Sequence, residues 1–360
     1  MSERVLVAMS GGVDSSVAAA RLLAEGYDVV GVTLHLWDYP DDGTVQGRCC
    51  APEDVHDARR VADALGFPHF AFDRRQLFRE TVVEPFVEAY LAGETPSPCV
   101  RCNRGVKIKE LLHLADRLQA KYVATGHYAR VERDGEACVL LRGKDADKDQ
   151  SYFLHMLPQE ALARLLFPLG ELSKGQVRQQ AVALGLPGAE KGESQELCFV
   201  PSGRYDAFVA EQAQGRLRPG PIVNEHGETV GTHAGIHAFT VGQRRNLGVA
   251  LGKRSYVVSI DGESATVRLG PKDSVQGAGA RLTDVVLQAG VEAPLSCAVS
   301  VRYRGRATPA LLQRDSERGY VVHFSEPVSA VVKGQFAVFY DGERVLGGGL
   351  IEASIAGAVV

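Results

Sequence analysis

The sequence lacks the features that mark membrane, secreted or strongly charged proteins. In 360 residues no apolar run approaches the roughly 20 residues that a membrane-spanning helix needs, and no secretion signal precedes the first strand pattern. The formal net charge of −4 argues against a bulk attraction to nucleic acid, but it leaves room for local basic patches. The seven cysteines form an odd set, which is not expected of a disulfide framework. We therefore expect a cytoplasmic protein without membrane contact.

The most informative stretch runs from Arg4 to Leu23. An apolar strand pattern passes through Ser10–Ser16, with the sequence Ser-Gly-Gly-Val-Asp-Ser-Ser, into an Ala- and Leu-rich helical pattern. Such a turn points backbone N–H groups and the positive end of the helix dipole at one place, which suits a phosphate. The lysine of G-x-x-x-x-G-K-[ST] and the spacing G-x-G-x-x-G are both absent. The stretch resembles the S-G-G-x-D-S signature of the N-type ATP pyrophosphatases; a plain turn with capping hydroxyls is the alternative.

The order of the predicted elements indicates an α/β protein. Strand and helix patterns alternate over the first half, with strands at 28–36, 68–73 and 121–125 and helices at 53–65 and 76–91, the second helix interrupted at Pro85. This alternation predicts a parallel sheet covered by helices on both faces, with ligands at the carboxyl ends of its strands. Further helical patterns follow at 161–167, 173–184 and 205–214.

After Gly215 the apolar runs become short and Gly and Pro become frequent, which is typical of small antiparallel β barrels. One such run, Ala298 to Tyr303, continues this strand pattern. We expect a PP-loop domain at 1–205, a small central β-rich domain at 206–275 and a C-terminal antiparallel β-barrel at 276–360.

Cys99 and Cys102 form a C-x-x-C motif in a predicted loop that also contains Pro96 and Pro98. This motif alone fits a zinc half-site, a redox pair or an iron–sulfur ligand set, and the absence of a second C-x-x-C disfavours a four-cysteine zinc site. Neighbouring cations and a helix predicted to begin just after Cys102 favour its thiolate form, which makes it a candidate nucleophile. Cys198 lies in a polar stretch and could approach it, although a small buried side chain is the alternative. Cys138 and Cys297 fit strand cores; Cys49 and Cys50 stay ambiguous.

At this point the motifs support a wider resemblance. The chain resembles the bacterial tRNA-specific 2-thiouridylases over nearly its whole length. The matching blocks, in order, are SGGVDSS at 10–16, LAGETPSPCVRCN at 91–103, ATGHYAR at 124–130, LRGKDADKDQSYFL at 141–154, LFPLGELSKGQVR at 166–178, ELCFV at 196–200, FTVGQRRNLG at 239–248, RYR at 302–304, and KGQFAVFYDGE through LGGG at 333–349. A single block is shared with other PP-loop enzymes, but the ordered set is specific.

The resemblance implies an ATP-dependent replacement of the C2 oxygen of the wobble uridine of tRNA by sulfur, giving 2-thiouridine. The uracil O2 attacks the α-phosphate of ATP and pyrophosphate leaves. The implied ATP-binding residues are Ala8, Met9, Ser10, Gly11, Gly12, Val13, Asp14, Ser15, Leu34 and Gly126, with Asp14 placed either for Mg²⁺ or to order the loop. Cys198 then carries a persulfide, and Cys102 attacks it, ending in a Cys102–Cys198 disulfide, or assists sulfur delivery.

The resemblance also implies that the 1–205 domain carries the catalytic cysteines, that the 276–360 barrel binds tRNA, and which partners the protein has. These are tRNA, with the lysine, glutamate and glutamine acceptors expected, and a sulfur-donor protein, either a cysteine desulfurase or a relay. The residues assigned to tRNA or its target base are Ser97, Pro98, Cys99, His127, Lys148, Asp149, Gln150, Arg302, Tyr303 and Gln335. Taken alone, His127 would be assigned to a capped strand end and Gln335 to an ordinary turn.

Cys99 departs from the family pattern, because many members have Asp at this position. Three cysteines (Cys99, Cys102 and Cys198) therefore offer a rival mechanism, in which they hold a [4Fe–4S] cluster that carries sulfide. The residues at 193–196 also differ from the expected variants. Two other functions remain as alternatives: a PP-loop synthetase that forms an amide, and a tRNA-binding module without catalysis.

Replacement of Arg302 tests the assignment of this basic cluster to tRNA. Arg302→Ala should weaken tRNA binding, because phosphate contacts contribute salt-dependent affinity, and should leave ATP binding unchanged. Filter binding over a range of salt concentrations measures the effect. Equal tRNA affinity of the variant and the parent chain at low salt would refute the assignment.

Overall fold

The computed structural model describes residues 2–38, 52–135, 137–189, 197–200, 203–249, 252–315 and 319–357. Cys49, Cys50 and the 193–196 stretch lie outside these residues. The chain divides into two compact units. The first comprises Met1–Val82, Cys99–Gly203 and Glu343–Val345; the second comprises Val83–Pro98, Arg204–Gly342 and Leu346–Val360.

The first unit contains the predicted parallel sheet. Its strands, with one added hairpin, are β1 (Arg4–Ala8), β2 (Asp28–His35), β3 (His69–Asp73), β4 (Tyr122–Ala124), β5 (Ala129–Asp134), β6 (Ala137–Arg142) and β7 (Leu165–Leu166). The sheet order is β3-β2-β1-β4-β7, and all neighbouring strands run parallel. Because successive strands lie on opposite sides of β1, the crevice for a ligand lies outside the carboxyl ends of β1 and β4.

Helices alternate with these strands as expected for a doubly wound sheet, and two further helices, Glu84–Leu91 and Tyr205–Gln212, belong to the second unit. In chain order, the helices are α1 (Val13–Ala24), α2 (Pro52–Leu65), α3 (Arg75–Phe78), α4 (Glu84–Leu91), α5 (Pro98–Cys102), α6 (Ile108–Arg117), α7 (Gln159–Leu162), α8 (Lys174–Ala183) and α9 (Tyr205–Gln212). A π-helical turn, Arg79–Val83, separates α3 from α4. The interruption predicted at Pro85 is therefore a widened turn, followed by proline in the first turn of α4, where its missing N–H costs little.

One predicted helix is wrong over half its length. The pattern at 161–167 predicts a helix, but α7 ends at Leu162 and the chain then extends into β7. Leu165 and Leu166 pair with Val123 and Ala124 of β4. A vacant sheet edge beside β4 thus outweighs the local helical preference of these leucines.

Helix α1 joins two apolar clusters of the first unit. On one side Ala19 and Leu22 pack with Val5 and Val7 of β1. On the other side Val13 and Val17 lie in the cluster that contains Val177 and Ala181 of α8. Because α1 is held from two sides, the loop that precedes it has a fixed end.

The second unit contains two β structures. The smaller is β8 (Gly220–Val223), β9 (Thr229–His233), β10 (Tyr256–Asp261) and β11 (Thr266–Gly270), in the order β10-β11-β8-β9. The larger consists of β12 (Gln276–Leu287), β13 (Leu295–Ser300), β14 (Thr308–Asp315), β15 (Gly319–Ser329), β16 (Phe336–Asp341) and β17 (Arg344–Ile355). Its order is β12-β15-β14-β13-β16-β17, and antiparallel pairing of β12 with β17 closes the barrel.

The barrel encloses an apolar core in which Leu282, Leu312, Val322, Phe339 and Ile351 are fully or almost fully buried. The predicted C-terminal antiparallel β-barrel is thereby confirmed, as is the α/β class of the parallel-sheet domain. Within the ranges given above, the structure contains no helix long and apolar enough to cross a membrane.

Candidate active site

The Ser10–Ser16 turn connects β1 to α1 at the carboxyl edge of the sheet. Its serines close it from within: the N–H of Ser10 donates to Ser15 Oγ at 3.1 Å, and the hydroxyls of Ser15 and Ser16 each donate to the carbonyl of Gly12 at 3.0 Å. Gly12 is the N-cap of α1 and supplies no side-chain cap. The helix therefore begins with backbone N–H groups that suit an anion.

Two glycines are required by the close packing around this loop. Gly11 has a positive φ of 72°, and a Cβ there would lie 2.4 Å from the carbonyl oxygen of Asp54 on α2. A Cβ on Gly126, just beyond β4, would lie 3.0 Å from the backbone N of Ser15. The loop is thus pressed between α2 and the end of β4, and side chains are excluded on both sides.

Asp14 has cationic and hydroxyl partners that sequence reasoning missed. Lys174 Nζ donates to the two carboxylate oxygens at 2.7 and 2.8 Å, and Tyr128 Oη donates to Oδ1 at 2.8 Å. Lys174 is the first residue of α8, after a capping box formed by Ser173 and Gln176. Tyr128 lies in the block ATGHYAR and Lys174 in the block LFPLGELSKGQVR, both of which support the resemblance. Nothing in the spacing of these blocks links either residue to Asp14.

The Asp14 contacts favour one of the two roles expected for this residue. Its carboxylate accepts from Lys174 and Tyr128, and these contacts connect the start of α1 to α8 and to the residues after β4. Among the residues that the structure describes, no group of three or more His, Cys, Asp or Glu side chains is arranged to hold a metal ion.

The expected adenosine residues lie at the same edge of the sheet. Leu34 is the penultimate residue of β2 and is buried, and Gly126 follows β4. Next to Gly126, Thr125 Oγ1 lies 2.7 Å from His127 Nδ1. Burial of the ring, with a smaller contribution from Lys107, lowers the pKa of His127 to about 3. His127 is thus a neutral hydrogen-bonding group at pH 7.

The C-x-x-C motif lies within a helix, whereas the sequence predicts it in a loop that precedes a helix. Helix α5 begins at Pro98 and contains both Cys99 and Cys102, so the expectation that a helix begins just after Cys102 is wrong. The proline fits the first turn of a helix, which explains the early start. Cys102 is buried and Cys99 is half-buried. The positive end of the helix dipole therefore lies closer to Cys99 than to Cys102, and it stabilises a thiolate at Cys99 more than one at Cys102.

Cys198 is half-buried in the 197–200 stretch. In the part of the chain that the structure describes, the cysteines Cys99, Cys102, Cys138, Cys198 and Cys297 carry thiols and no disulfide. Cys99, Cys102 and Cys198 also do not form a metal-ligand group there. The iron–sulfur alternative thus has no ligand set in these residues.

Phe199 fixes the chain next to Cys198. Its ring is buried, with its centroid 5.6 Å from that of Phe78 and 6.3 Å from that of Trp37, both in edge-to-face arrangements. Trp37 follows β2 by two residues, so these contacts hold Cys198 at the carboxyl side of the sheet. Cys198 therefore belongs to the same edge as the phosphate loop.

Truncation of Phe199 tests this anchor. Phe199→Ala should lower the free energy of unfolding by about 3 to 5 kcal/mol, because a fully buried ring is removed. Phe70→Ala is the matched control, since Phe70 is 45% exposed, and it should change stability by about 0.5 kcal/mol or less. Urea denaturation followed by the fluorescence of Trp37, the single tryptophan, measures both. Equal stabilities of the two variants would contradict the anchor.

In the second unit, Gln335 holds the segment that leads to Ser97 and Pro98. Its Nε2 donates to the carbonyls of Thr95 at 2.9 Å and Pro96 at 3.2 Å. The N–H of Thr95 donates to the carbonyl of Lys333 at 3.0 Å. Ser97 and Pro98 are themselves buried. Gln335 thus supports the expected target-base segment through its backbone.

The expected tRNA residues Lys148, Asp149 and Gln150 have different environments. Asp149 is buried, and its carboxylate accepts from the backbone N–H groups of Gly143 and Ser151, from Ser151 Oγ and from Arg142. Lys148 and Gln150 are half-buried. The buried Asp149 carboxylate therefore stabilises the turn internally, while Lys148 and Gln150 are partly exposed at the surface.

Arg302 and Tyr303 do not lie in a strand, contrary to the pattern at 298–303. Strand β13 ends at Ser300, whose hydroxyl donates to the carbonyls of Arg302 at 2.8 Å and Gly305 at 3.1 Å. This serine bends the chain into a turn with Arg302 exposed. The guanidinium of Arg304 lies 5.2 Å from the Tyr303 ring centroid. A turn presents the cationic side chains more openly than a strand in a barrel wall.

A doubly wound parallel sheet with a serine- and glycine-rich loop after its first strand defines a nucleotide-binding domain of the ATP-using PP-loop class. Three family profiles match in succession. Residues 3–202 match the tRNA methyl transferase HUP domain, residues 206–271 the tRNA methyl transferase PRC-barrel domain, and residues 280–351 the aminomethyltransferase beta-barrel domain. The chain belongs to the family of tRNA-specific 2-thiouridylases.

Curated relatives match over almost the full length. The tRNA-specific 2-thiouridylase MnmA of Sorangium cellulosum is 60% identical over 98% of this chain and 93% of its own. The protein of the same name from Geobacter metallireducens is 46% identical over 98% of both chains. A solved 4-thiouridine synthetase–RNA complex with bound ATP matches 59% of this chain and 50% of its own at 15% identity and a TM-score of 0.34, which is too low to carry an argument.

Proposed function

We propose that this chain is a tRNA-uridine 2-sulfurtransferase that uses ATP to convert the wobble uridine of tRNA to 2-thiouridine. The observation that carries the proposal is a phosphate loop and two candidate sulfur-carrying cysteines in one compact unit of a 2-thiouridylase family member. Its three proposed domains are 1–205, 206–275 and 276–360, a division supported by the ranges of the three family profiles.

The first half-reaction activates the base. The uracil O2 forms a bond to the α-phosphorus of ATP, and the bond from this phosphorus to the bridging oxygen breaks, so that pyrophosphate leaves. The Ala8–Ser15 loop would bind the pyrophosphate through its backbone N–H groups, and Leu34 and Gly126 would contact the adenosine. Charge on the leaving group is what such a site must stabilise. Mg²⁺ would enter with the ATP phosphates as part of the substrate.

Lys174 is the cation next to this loop. The loop lacks the lysine of other phosphate loops, while Lys174 Nζ lies within 2.8 Å of both Asp14 oxygens. It is largely buried, so its charge acts in a less polarisable environment than that of a surface lysine. We assign Lys174 to binding of the departing pyrophosphate, with Asp14 fixing its position.

The second half-reaction delivers sulfur. Cys198 receives the terminal sulfur from a donor protein as a persulfide. The Cys102 thiolate attacks the inner sulfur of this persulfide, which forms the Cys102–Cys198 disulfide and releases hydrosulfide. Hydrosulfide adds to the activated C2, and AMP leaves with the former O2. The two thiols are oxidised and the terminal sulfur is reduced; direct delivery of the persulfide with help from Cys102 is the variant of this step.

The tRNA would be held by the other assigned residues. Ser97, Pro98 and Cys99 would contact the target base, and the anticodon-loop uridine must leave its stack to reach them. Neutral His127 suits a hydrogen bond to a base. The remaining contacts would come from the Lys148–Gln150 turn and the Arg302–Tyr303 turn, while Gln335 would support the backbone that leads to Ser97. Lysine, glutamate and glutamine tRNAs are the proposed substrates.

Substitution of Cys198 separates the proposed function from its alternatives. Cys198→Ala should abolish 2-thiouridine while tRNA-dependent release of pyrophosphate continues, because only the sulfur carrier is removed. Mass spectrometry of tRNA nucleosides and a pyrophosphate assay measure the two halves. Cys297→Ala is the control, since burial raises the pKa of Cys297 to about 12 and keeps it a thiol.

Three outcomes would contradict the proposal. Thiolation by Cys198→Ala at the rate of the parent chain would remove the assigned carrier. An aminated base would indicate the amide-forming synthetase. Absence of tRNA-dependent pyrophosphate release from the parent chain would favour the binding module.

Substitution of Lys174 tests the proposed cation. Lys174→Gln should raise the Kd for α,β-methylene-ATP about tenfold, because loss of one charge contact costs about 1.4 kcal/mol. Lys121→Gln, at an exposed lysine that pairs with Glu3, is the control and should bind as the parent chain does. Isothermal titration calorimetry gives both values. An unchanged Kd for Lys174→Gln would refute the assignment.

A further inference from the structure

Tyr128 joins the turn assigned to tRNA to the phosphate loop. The N–H of Tyr128 donates to Gln150 Oε1 at 3.0 Å, and the N–H of Gln150 donates to the carbonyl of Tyr128 at 2.8 Å. The other end of the same residue, Tyr128 Oη, donates to Asp14 at 2.8 Å. A single buried side chain thus spans the distance between Gln150 and the first turn of α1.

A second route runs from the same turn to the same carboxylate. The N–H of Lys148 donates to the carbonyl of Asp145 at 3.0 Å. Asp145 Oδ2 accepts from the backbone N–H of Lys174 at 2.8 Å, and Lys174 Nζ donates to Asp14. The two routes leave the turn at Gln150 and at Asp145 and meet at Asp14.

The turn between these routes is held by hydrogen bonds to a buried carboxylate. Asp149 is buried, and its carboxylate is held by Gly143, Ser151 and Arg142. A Cβ on Gly143 would lie 2.7 Å from the carbonyl oxygen of Tyr128, so the turn packs directly on the Tyr128 backbone. Displacement of Lys148 or Gln150 therefore moves the ends of both routes together.

We propose that Tyr128 is a positioning residue that couples occupancy of the Lys148–Gln150 turn by tRNA to the order of the phosphate loop. The inference rests on the proposed function, because it takes tRNA and ATP as the two ligands. Contact of tRNA with the turn fixes Gln150, Gln150 fixes the Tyr128 backbone, and the hydroxyl fixes Asp14 at the loop. Binding of tRNA thus strengthens binding of ATP, and by reciprocity ATP strengthens binding of tRNA to the same extent.

The test measures this coupling directly. Calorimetric titration gives the Kd of α,β-methylene-ATP with and without a saturating unmodified tRNA transcript, and the ratio of the two values is the coupling. We expect a ratio of about five or more for the parent chain, the lower end of typical couplings. Tyr128→Phe, which removes only the hydroxyl, should bring the ratio close to one. Tyr122→Phe, on β4 and away from Asp14, should keep the parent ratio.

The coupling ratio is a readout that a purely structural loss of either affinity would not move, and the reverse titration checks it from the tRNA side. The Kd of the tRNA with and without α,β-methylene-ATP should give the same ratio for the parent chain and a ratio near one for Tyr128→Phe. Gln150→Ala, which removes the acceptor at the other end of the route, should also lower the ratio, and circular dichroism checks that each variant is folded.

The outcomes distinguish this inference from the proposed function. If the parent chain binds both ligands with a ratio of one, or if Tyr128→Phe keeps the parent ratio, the coupling through Tyr128 is refuted while the proposed function stands. If the parent chain binds neither tRNA nor α,β-methylene-ATP, the proposed function itself fails. Loss of coupling in Tyr128→Phe together with its retention in Tyr122→Phe supports the inference.

Discussion

The ion pair between Asp14 and Lys174 is the interaction on which the first unit's site depends. Asp14 lies at the start of α1 and Lys174 at the start of α8, so the pair ties the two helix N-termini together beside the phosphate loop. With Lys174 nearly buried, either charge without the other would be costly. A loop without its own lysine thus obtains a cation from a helix far along the chain, and the Tyr128 hydroxyl completes the arrangement.

The residues expected to contact tRNA differ in their hydrogen-bond partners and in their exposure. Asp149 accepts hydrogen bonds from backbone and side-chain groups of its own unit, and Gln335 donates to backbone carbonyls of its own unit, so both shape the surfaces beside them. Arg302 lies on an open turn, where its charge is available to phosphate. Of the residues assigned to tRNA, some therefore suit direct contact with it, and others suit support of the surface that it contacts.

The sequence predicts the parallel sheet, the phosphate loop and the C-terminal barrel because these depend on local patterns: a strand, turn and helix between Arg4 and Leu23, and short apolar runs after Gly215. It does not predict Lys174 and Tyr128 as partners of Asp14, since they lie 160 and 114 residues away from it. The errors have the same origin. Leu165 and Leu166 become a strand because a sheet edge is available, and Cys102 lies inside a helix because Pro98 starts that helix early.

The distribution of the first unit along the chain has a consequence for synthesis. Arg130 is buried, and its guanidinium pairs with Glu343 at 2.7 Å, a partner 213 residues later. Arg344 pairs with Leu141 of β6. Neither contact can form until Glu343 and Arg344, where β17 begins, have left the ribosome. A chain truncated before Glu343 therefore keeps the Arg130 ion pairs with Glu132 and Glu171 but loses the shortest of the three.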